Sequence, residues 1–360
     1  MTNATEPPGL SDSGAAVRGP VLGVCGWSGS GKTTLLEAVI PRLEASGLRV
    51  AVLKHDLHGP DLDRPGKDSD RLFRAGADLA LVGPREAFER RHRRHERSLA
   101  ASLAELRSRH DLVLVEGHKA TPLPKVWLAT SQEPGPPPEV TDVLATLPWG
   151  TRREDAFMGV LDDWLPAAWT MVPVWAGILI GGGSSRMGRP KHLLRRGGRT
   201  YLERLLAAFA GRVAGVALVG GGEVPAAHAG LPCLPDAPGV AGPLAGMLAA
   251  MRWQPDAAWL IAASDLPFAD EDAVRWLLSE RRPGRWAVVP SLHDGMLEPL
   301  FALYEPQACG LLEEVARGDN PAPRLVAPHE KVAAPAPPDA LRRAFFNVNV
   351  PADLDALDTV

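Results

Sequence analysis

The sequence predicts an α/β protein of two domains, each built around a parallel sheet. Short apolar runs alternate with helical patterns in both halves of the chain, as is typical of parallel α/β architecture. A length of 360 residues exceeds one typical hydrophobic core and suits two domains. Each half also carries a glycine-rich loop directly after its first apolar run, at residues 26–33 and 181–191. Two phosphate-binding loops in two α/β halves are therefore expected.

The bulk composition excludes several classes of protein. A net charge of −4 gives no global attraction to nucleic acid or to an anionic membrane. No apolar stretch approaches the ~20 residues that span a bilayer. The three cysteines, Cys25, Cys233 and Cys309, lie far apart and form neither a zinc finger nor a disulfide framework. We expect a cytoplasmic protein that binds neither nucleic acid nor membrane.

The domain limits follow from changes in composition along the chain. Residues 1–19 are polar and rich in Ser, Thr, Gly and Pro, which predicts a disordered leader. The first domain is expected over residues 20–168 and the second over 174–360. A proline-rich segment at 131–138 is a rival boundary. We place that segment inside the first domain, because the strand and helix patterns that follow it would otherwise be left between domains.

The first loop, GWSGSGKT, matches the P-loop pattern between a strand-like run and a helix-like run. Its glycines allow backbone N–H groups to surround phosphates, the lysine reaches the terminal phosphate oxygens, and the threonine hydroxyl ligates magnesium. A carboxylate at the end of another strand completes such a site, and Glu116 follows the run at 112–115. The expected nucleotide contacts are Gly26, Gly29, Gly31, Lys32, Thr33, Thr34 and Glu116, with Thr33 also on the metal. The first domain is thus predicted to be P-loop NTPase-like.

Two further clusters are less decisive. Lys54, His55 and Asp56 end the second predicted strand, where they either line the ligand crevice or are simply solvated. Residues 90–97, RRHRRHER, form the densest basic run. The simpler interpretation is the exposed start of a helix that reaches Arg109, and the alternative is a docking patch for a phosphorylated ligand or acidic partner.

The first half resembles the MobB family, the P-loop GTP-binding proteins of molybdopterin-guanine dinucleotide synthesis. The resemblance covers about residues 21–165. Its motifs are GWSGSGKTTLL from Gly26, LKHDLHG from Leu53, DRPGKDS from Asp63, RAGAD from Arg74 and VEGHK from Val115. The resemblance implies GTP binding and weak hydrolysis at Lys32 and Thr33. His118 stands where the family usually has an aromatic residue.

The second loop, GGGSSRMGRPK, is neither a P-loop nor a dinucleotide-binding fingerprint. Arg186 and Lys191 lie on a glycine-rich turn, where two cations and several N–H groups can hold a triphosphate. This arrangement suits attack at the α-phosphorus, because the pyrophosphate leaving group carries the developing charge. Asp265 ends a later apolar run, where its carboxylate can hold magnesium against the phosphates. The alternative for Asp265 is a turn or helix cap before Pro267.

The second half resembles the MobA family of nucleotidyltransferases over about residues 177–357, which implies a Rossmann-like fold. The motifs are the loop itself, GPLAGM from Gly242, DLPF from Asp265, EPLF from Glu298 and NVNVP from Asn347. The resemblance implies that Gly181, Gly182, Lys191, Asp236 and Asp265 contact GTP, that Asp265 binds magnesium, and that Asn347 and Asn349 contact the pterin. Ile180 replaces the usual Ala, and the family's Asn after the second strand has no clear equivalent within residues 220–222.

Together these features predict a fused MobB–MobA protein. Its second domain would transfer GMP from MgGTP to molybdenum-molybdopterin and release pyrophosphate, with Arg186, Lys191 and Asp265 as catalytic residues. The first domain would be a weak GTPase, or an adaptor that hands cofactor to acceptor molybdoenzymes. Two alternatives stay open for the enzyme: a cytidylyltransferase, or a sugar-phosphate nucleotidyltransferase fused to a P-loop protein. The GG after Ile180 and the GPLAG motif favour GTP by resemblance.

Overall fold

The computed structural model of the chain describes residues 18–54, 63–92, 98–150, 152–181, 190–292 and 295–348. Within these ranges two large sheets follow each other along the chain, one in each half. The predicted α/β class is confirmed. Among the described helices, none has the length and apolarity needed to cross a membrane. The predicted domain limits stay predictions.

The first sheet has five parallel strands, and its central strand leads into the P-loop. The strands are β1 (Val21–Gly26), β2 (Val50–Lys54), β5 (Leu112–Glu116), β6 (Lys125–Leu128) and β7 (Val143–Leu147), in the spatial order β2-β5-β1-β6-β7. Strands β2 and β5 lie on one side of β1, and β6 and β7 lie on the other, so a topological switch point lies at the carboxyl end of β1. In open α/β sheets ligands bind in the crevice at such a point.

The helices of the first half are α1 (Lys32–Ala45), α2 (Asp68–Arg74), α3 (Leu99–Arg107) and α4 (Arg153–Thr170). Helices α1 and α4 cover one face of the sheet, where their leucines and Phe157 form a core with Leu22, Leu114 and other strand residues. Helix α3 covers the other face and is capped by the preceding residue, Ser98, whose side chain accepts a hydrogen bond from the N–H of Ala101.

A separate two-stranded hairpin contains β3 (Leu79–Val82) and β4 (Ala87–Arg90). The first residue of the basic run, Arg90, therefore ends a strand, and the expectation that the run forms the start of the helix is wrong at this residue: α3 begins at Leu99. Arg90 is held locally because its guanidinium forms ion pairs with Asp63 and Asp70 and lies 3.9 Å from the centre of the Phe73 ring. Residues 93–97 of the run lie outside the described residues.

The second sheet contains seven strands in the order β12-β11-β8-β13-β15-β14-β16. These are β8 (Val174–Leu179), β11 (Gly215–Val219), β12 (Cys233–Leu234), β13 (Ala258–Ala263), β14 (Ala287–Val288), β15 (Phe301–Tyr304) and β16 (Val332–Ala333). Strand β15 runs antiparallel to both of its neighbours, and the other pairings are parallel. Strands β9 (Arg195–Arg196) and β10 (Arg199–Thr200) form a small hairpin before α5.

Helices α5 (Tyr201–Phe209) and α7 (Glu271–Ser279) pack on one face of the second sheet, and α6 (Pro243–Trp253) and α8 (Ala308–Ala316) pack on the other. Local capping sets two of these starts. Thr200 and Glu203 form a capping box at α5, and Asp270 accepts a hydrogen bond from the N–H of Ala273 at α7. Pro243 occupies the first turn of α6, where its missing N–H costs nothing.

Candidate nucleotide-binding sites

The first site is the loop between β1 and α1. Gly26 must be glycine: a Cβ at that position would lie 2.5 Å from Ser30 Oγ and 2.7 Å from Leu128 O. Gly29 and Gly31 have φ angles of 74° and 87°, in the left-handed region that favours glycine. The loop therefore closes tightly against the end of β6 and leads directly into α1 at Lys32. This is the geometry in which a P-loop binds phosphate.

Lys32 folds back over this loop. Its Nζ donates hydrogen bonds to Gly26 O at 3.2 Å and Trp27 O at 2.9 Å, so the ammonium lies over the cradle that phosphates would enter. Partial burial lowers the pKa of Lys32, and the charge of Glu116 opposes that shift. An incoming phosphate would replace the loop carbonyls as the partner of this ammonium.

The hydroxyl of Thr33 and the carboxylate of Glu116 meet at the carboxyl ends of β1 and β5. Thr33 Oγ1 donates to Glu116 Oε1 at 3.2 Å, and Lys54 Nζ lies 3.3 Å from the same oxygen. A hydroxyl and a carboxylate oxygen are ligands that Mg²⁺ accepts, so the residues fit the expected metal. Thr33 of α1, Lys54 of β2 and Glu116 of β5, all candidates from the sequence, are thus brought together. Thr34 is exposed in the first turn of α1, and His55 and Asp56 lie outside the described residues.

Two residues that support the P-loop were not predicted. Arg153, at the start of α4, donates to Ser30 O at 2.7 Å and to Pro148 O at 2.7 Å, and it also bonds to Ala129 O. It therefore ties the loop to the ends of β6 and β7. Lys119 lies 4.4 Å from the centre of the Trp27 ring, beside the loop. A lone arginine after a strand carries no sequence signal for such a role.

The second site is a pocket of about 360 Å³ at the carboxyl ends of β8, β11 and β13. It is lined by the sequence-predicted residues Gly181, Lys191, Asp236 and Asp265, and by the start of α6 at Gly242 and Pro243. The GPLAG motif thus lines the same pocket as Gly181 and Lys191, the first and last residues of the second glycine-rich loop. Gly182 and Arg186 lie outside the described residues.

Glycines let three backbone segments meet at the floor of this pocket. A Cβ on Gly220 would lie 2.7 Å from Gly181 N, and a Cβ on Gly246 would lie 2.9 Å from Leu179 Cδ2. The same two positions approach the carboxylate of Asp236, at 3.8 Å and 3.5 Å from Oδ1. Residues 220 and 222 consequently have no room for an Asn side chain, because a Cβ on Gly222 would clash with Ile180 O, whereas a Cβ on Gly221 would meet no atom within 4 Å.

Lys191 and Asp265 form the charged centre of the pocket. Lys191 Nζ lies 3.0 Å from Asp265 Oδ2, and both side chains are about one-fifth exposed. The other oxygen, Asp265 Oδ1, is buried without a hydrogen-bond partner among the described residues. An unsatisfied carboxylate oxygen in a pocket is suited to a divalent cation. His192 fixes the position of the chain next to Lys191, because its Nε2 lies 2.7 Å from Glu223 O.

Glu298, the first residue of the EPLF motif, lies beside this pocket and is held by two hydrogen bonds. Asn347 Nδ2 donates to Glu298 Oε2 at 2.6 Å, and the N–H of Leu300 donates to Oε1 at 3.0 Å. Burial raises the pKa of Glu298, with a further contribution from the charge of Asp265. The N–H of Val348 donates to Asp265 O at 2.9 Å, so residues 347–348 lie beside the metal candidate. Asn349 lies outside the described residues.

The loop, lysine and threonine–carboxylate pair define a P-loop nucleotide-binding domain, and the second pocket is of the nucleotidyltransferase class. Comparison with known proteins agrees: residues 21–147 match the family model of molybdopterin guanine dinucleotide synthesis protein B, MobB, and residues 176–332 match that of the MobA-like NTP transferase domain. The chain belongs to both families, with a MobB domain followed by a MobA-like domain.

Individual relatives match one half each. A molybdopterin-guanine dinucleotide biosynthesis adapter protein of Haemophilus influenzae is 41% identical over 127 residues, which are 35% of this chain and 71% of that protein. A molybdenum cofactor guanylyltransferase of Rhizobium meliloti is 38% identical over 191 residues, 49% of this chain and 87% of that protein. One of the same name from Mesorhizobium japonicum is 36% identical over 197 residues, covering 50% and 92% of the two chains.

Proposed function

We propose that the C-terminal domain transfers GMP from GTP to the terminal phosphate of molybdenum-molybdopterin and releases pyrophosphate. The observation that carries this proposal is the Lys191–Asp265 pair in the pocket at the carboxyl ends of β8 and β13. The preference for guanine over cytosine is supported by the names of the relatives.

The residues of the pocket suit displacement at the α-phosphorus. The acceptor phosphate is already anionic, so the attack needs no strong general base. Lys191, with Arg186 from the neighbouring loop, would neutralise the charge that develops on the departing pyrophosphate. Backbone N–H groups near Gly181 would hold the phosphates in line. A magnesium ion at Asp265 would supply Lewis-acid stabilisation of the phosphate oxygens when bound.

The acceptor side of the pocket is proposed at Phe268, three residues after Asp265. The guanidinium groups of Arg196 and Arg343 each lie 4.0 Å from the centre of the Phe268 ring. A guanidinium that stacks on a ring still presents N–H groups at its edge, and it binds phosphate in a bidentate manner. Two such groups on the Phe268 ring, three residues along the chain from Asp265, are suited to the phosphate of an anionic acceptor.

The N-terminal domain is proposed to bind MgGTP at Lys32, Thr33 and Glu116. Its role is proposed to be that of an adaptor that delivers the finished cofactor to acceptor molybdoenzymes, with slow hydrolysis as a secondary activity. Support comes from the P-loop geometry and from the adapter proteins that this half resembles. On this view the first site is not needed for the chemistry of the second.

A transfer assay with GTP labelled at the α-phosphate tests the main proposal. The full chain, incubated with Mg²⁺ and molybdenum-molybdopterin, is expected to move label to the pterin and to release one pyrophosphate for each label transferred. Asp265→Ala should abolish both signals, whereas the exposed carboxylate variant Asp272→Ala should keep them. Transfer from CTP at a higher rate than from GTP, or transfer only to sugar phosphates, would establish one of the alternatives instead.

A further inference from the structure

The two domains contact each other through the ends at which their strands begin. On the N-terminal side, Arg49 and Asp111 immediately precede β2 and β5. On the C-terminal side, Trp286 and Lys331 immediately precede β14 and β16. The contact surface is therefore formed by the amino-terminal edge of the parallel strands in both sheets.

Asp111 is the centre of this contact. Its Oδ1 accepts from Trp286 Nε1 at 2.6 Å, and its Oδ2 lies 2.7 Å from Lys331 Nζ. The side chains of Asp111 and Lys331 are 0% and 6% exposed. The Oδ2 atom also accepts from the backbone N–H of Arg49 at 2.7 Å, and the Arg49 guanidinium lies 4.5 Å from the centre of the Trp286 ring. Both oxygens of a fully buried carboxylate are thus satisfied, largely from the other domain.

A second buried group holds the connection between the domains. Glu305, which follows β15, accepts from Arg281 Nε at 2.7 Å and from Trp169 Nε1, near the end of α4, at 3.1 Å. Arg281 also donates to the carbonyls of Trp169 and Val172 at 3.2 Å and 3.3 Å. The side chains of Arg281 and Glu305 are 4% and 2% exposed. Separating the domains would break the Asp111–Lys331 pair and leave two buried charges without partners, which is strongly unfavourable.

Both nucleotide-binding sites lie at the carboxyl ends of parallel strands, whereas the contact surface lies at amino-terminal ends. In the first sheet, Asp111 precedes β5 and Glu116 ends it; in the second sheet, β8 runs from Val174 to Leu179, two residues before Gly181 of the pocket. At about 3.3 Å per residue, these strands place each site roughly 17–20 Å from the contact surface. The two sites therefore lie at the ends of the two sheets that point away from the contact surface.

We propose that the two domains are permanently docked back to back, so that the P-loop and the transferase pocket open on opposite sides of the molecule. A ligand then passes from one site to the other only through solvent, and the P-loop face is free to meet a separate protein. This arrangement concerns the relation between the sites and does not depend on which nucleotide or acceptor either site takes.

Pulsed electron paramagnetic resonance on the full chain tests the arrangement directly. One spin label is attached to the exposed Cys233, which lies near the pocket end of the second sheet, and the other to Glu37→Cys, in the second turn of α1. Cys309→Ser removes the remaining accessible thiol. The expected result is one distance population at roughly 35 Å or more, the sum of two strand lengths. A main population below about 20 Å would mean that the sites face each other, and it would overturn the proposal.

The same labelled protein tests whether the buried contact is what holds the domains. Asp111→Ala and Lys331→Met, made separately, should each broaden the distance distribution, because each leaves a buried group unsatisfied. Glu313→Ala, which breaks an exposed ion pair inside one domain, should leave the distribution unchanged. Equally narrow distributions in all three variants would show that Asp111 and Lys331 do not fix the arrangement.

Discussion

Lys191 and Asp265 meet at 3.0 Å although one follows a glycine-rich loop and the other follows the strand β13. The pair has two consequences. The Lys191 ammonium neutralises the charge of the Asp265 carboxylate. The second oxygen of that carboxylate, Oδ1, has no hydrogen-bond partner among the described residues. A cation that binds this oxygen and a triphosphate that binds the lysine would therefore enter a site whose charges are already in position.

Replacement of either member should stop the transfer of GMP. We expect Asp265→Ala and Lys191→Ala each to lower kcat by roughly 10²–10³-fold, the usual effect of removing a group that stabilises transition-state charge. Pyrophosphate release under saturating GTP measures the change. Asp272→Ala, an exposed carboxylate on α7, is the matched control. A loss of less than tenfold in both variants would remove the pair from the mechanism.

Lys32→Ala should separate the two sites functionally. Loss of a charged hydrogen-bond donor is expected to weaken GTP binding at the P-loop by roughly 10- to 100-fold. The transfer of GMP in the purified system should stay within twofold of the native rate, because Lys32 is remote from the second pocket. Equilibrium binding in an Asp265→Ala background isolates the first site. A proportional fall in transfer would contradict the adaptor role.

Arg343→Ala should weaken the binding of the acceptor and leave the binding of GTP unchanged. Loss of one guanidinium from the Phe268 ring is expected to raise the KM for the pterin by roughly 10-fold, within the range of one charged hydrogen bond. The KM for GTP should change little. Arg342→Ala provides the control, since that neighbouring arginine pairs with Asp339. Equal effects of the two substitutions would place the acceptor elsewhere.

Glu298 should give the protein a measurable dependence of stability on pH. Burial raises the pKa of Glu298 in the folded state, so the folded protein holds this proton to higher pH than the unfolded chain does. The free energy of unfolding should therefore decrease as the pH rises from the ordinary glutamate pKa through the raised one. Glu298→Gln removes the titrating group, and denaturant titrations across that window should show a flatter curve. An unchanged slope would exclude Glu298 as its source.

The thiols should differ sharply in reactivity. Burial raises the pKa of both Cys25 and Cys309 to about 11, and the Cys25 thiol also donates to Gly117 O at 2.9 Å. At pH 8 only ~0.1% of a thiol with that pKa is thiolate. Cys233 is exposed and should react with a maleimide at least roughly 100-fold faster than the other two. Peptide mass mapping over time measures the rates, and denaturant should make them equal.

The sequence predicted those parts of the two sites that are local in the chain. A P-loop is continuous in the chain, so the sequence alone places Gly26, Lys32 and Thr33 together. Glu116 and Asp265 were also predictable, because each ends an apolar run and parallel strands end at one edge of a sheet. The structure brings Glu116 to Thr33 and Asp265 to Lys191, as this rule implies.

The features that were missed depend on contacts between distant segments. Neither the hydrogen bond between Asn347 and Glu298 nor that between Arg153 and Ser30 O produces a periodic pattern in the sequence. The direction of β15 was equally hidden, since an apolar run reads the same whether its neighbours are parallel or antiparallel. The basic run was misread at its start because a charged alternating segment at the end of a hairpin resembles an exposed helix.

Helix α4 belongs to both halves of the molecule, and this affects how the chain can be divided. Phe157, Leu161 and Leu165 complete the core of the first sheet, whereas Trp169 is fastened by Glu305 and Arg281 of the second half. Division of the chain before α4 would remove the helix that covers one face of the first sheet. Division after α4 would expose Glu305 and Arg281 to water. Fragments intended to work independently therefore need this helix on one side and a redesigned surface on the other.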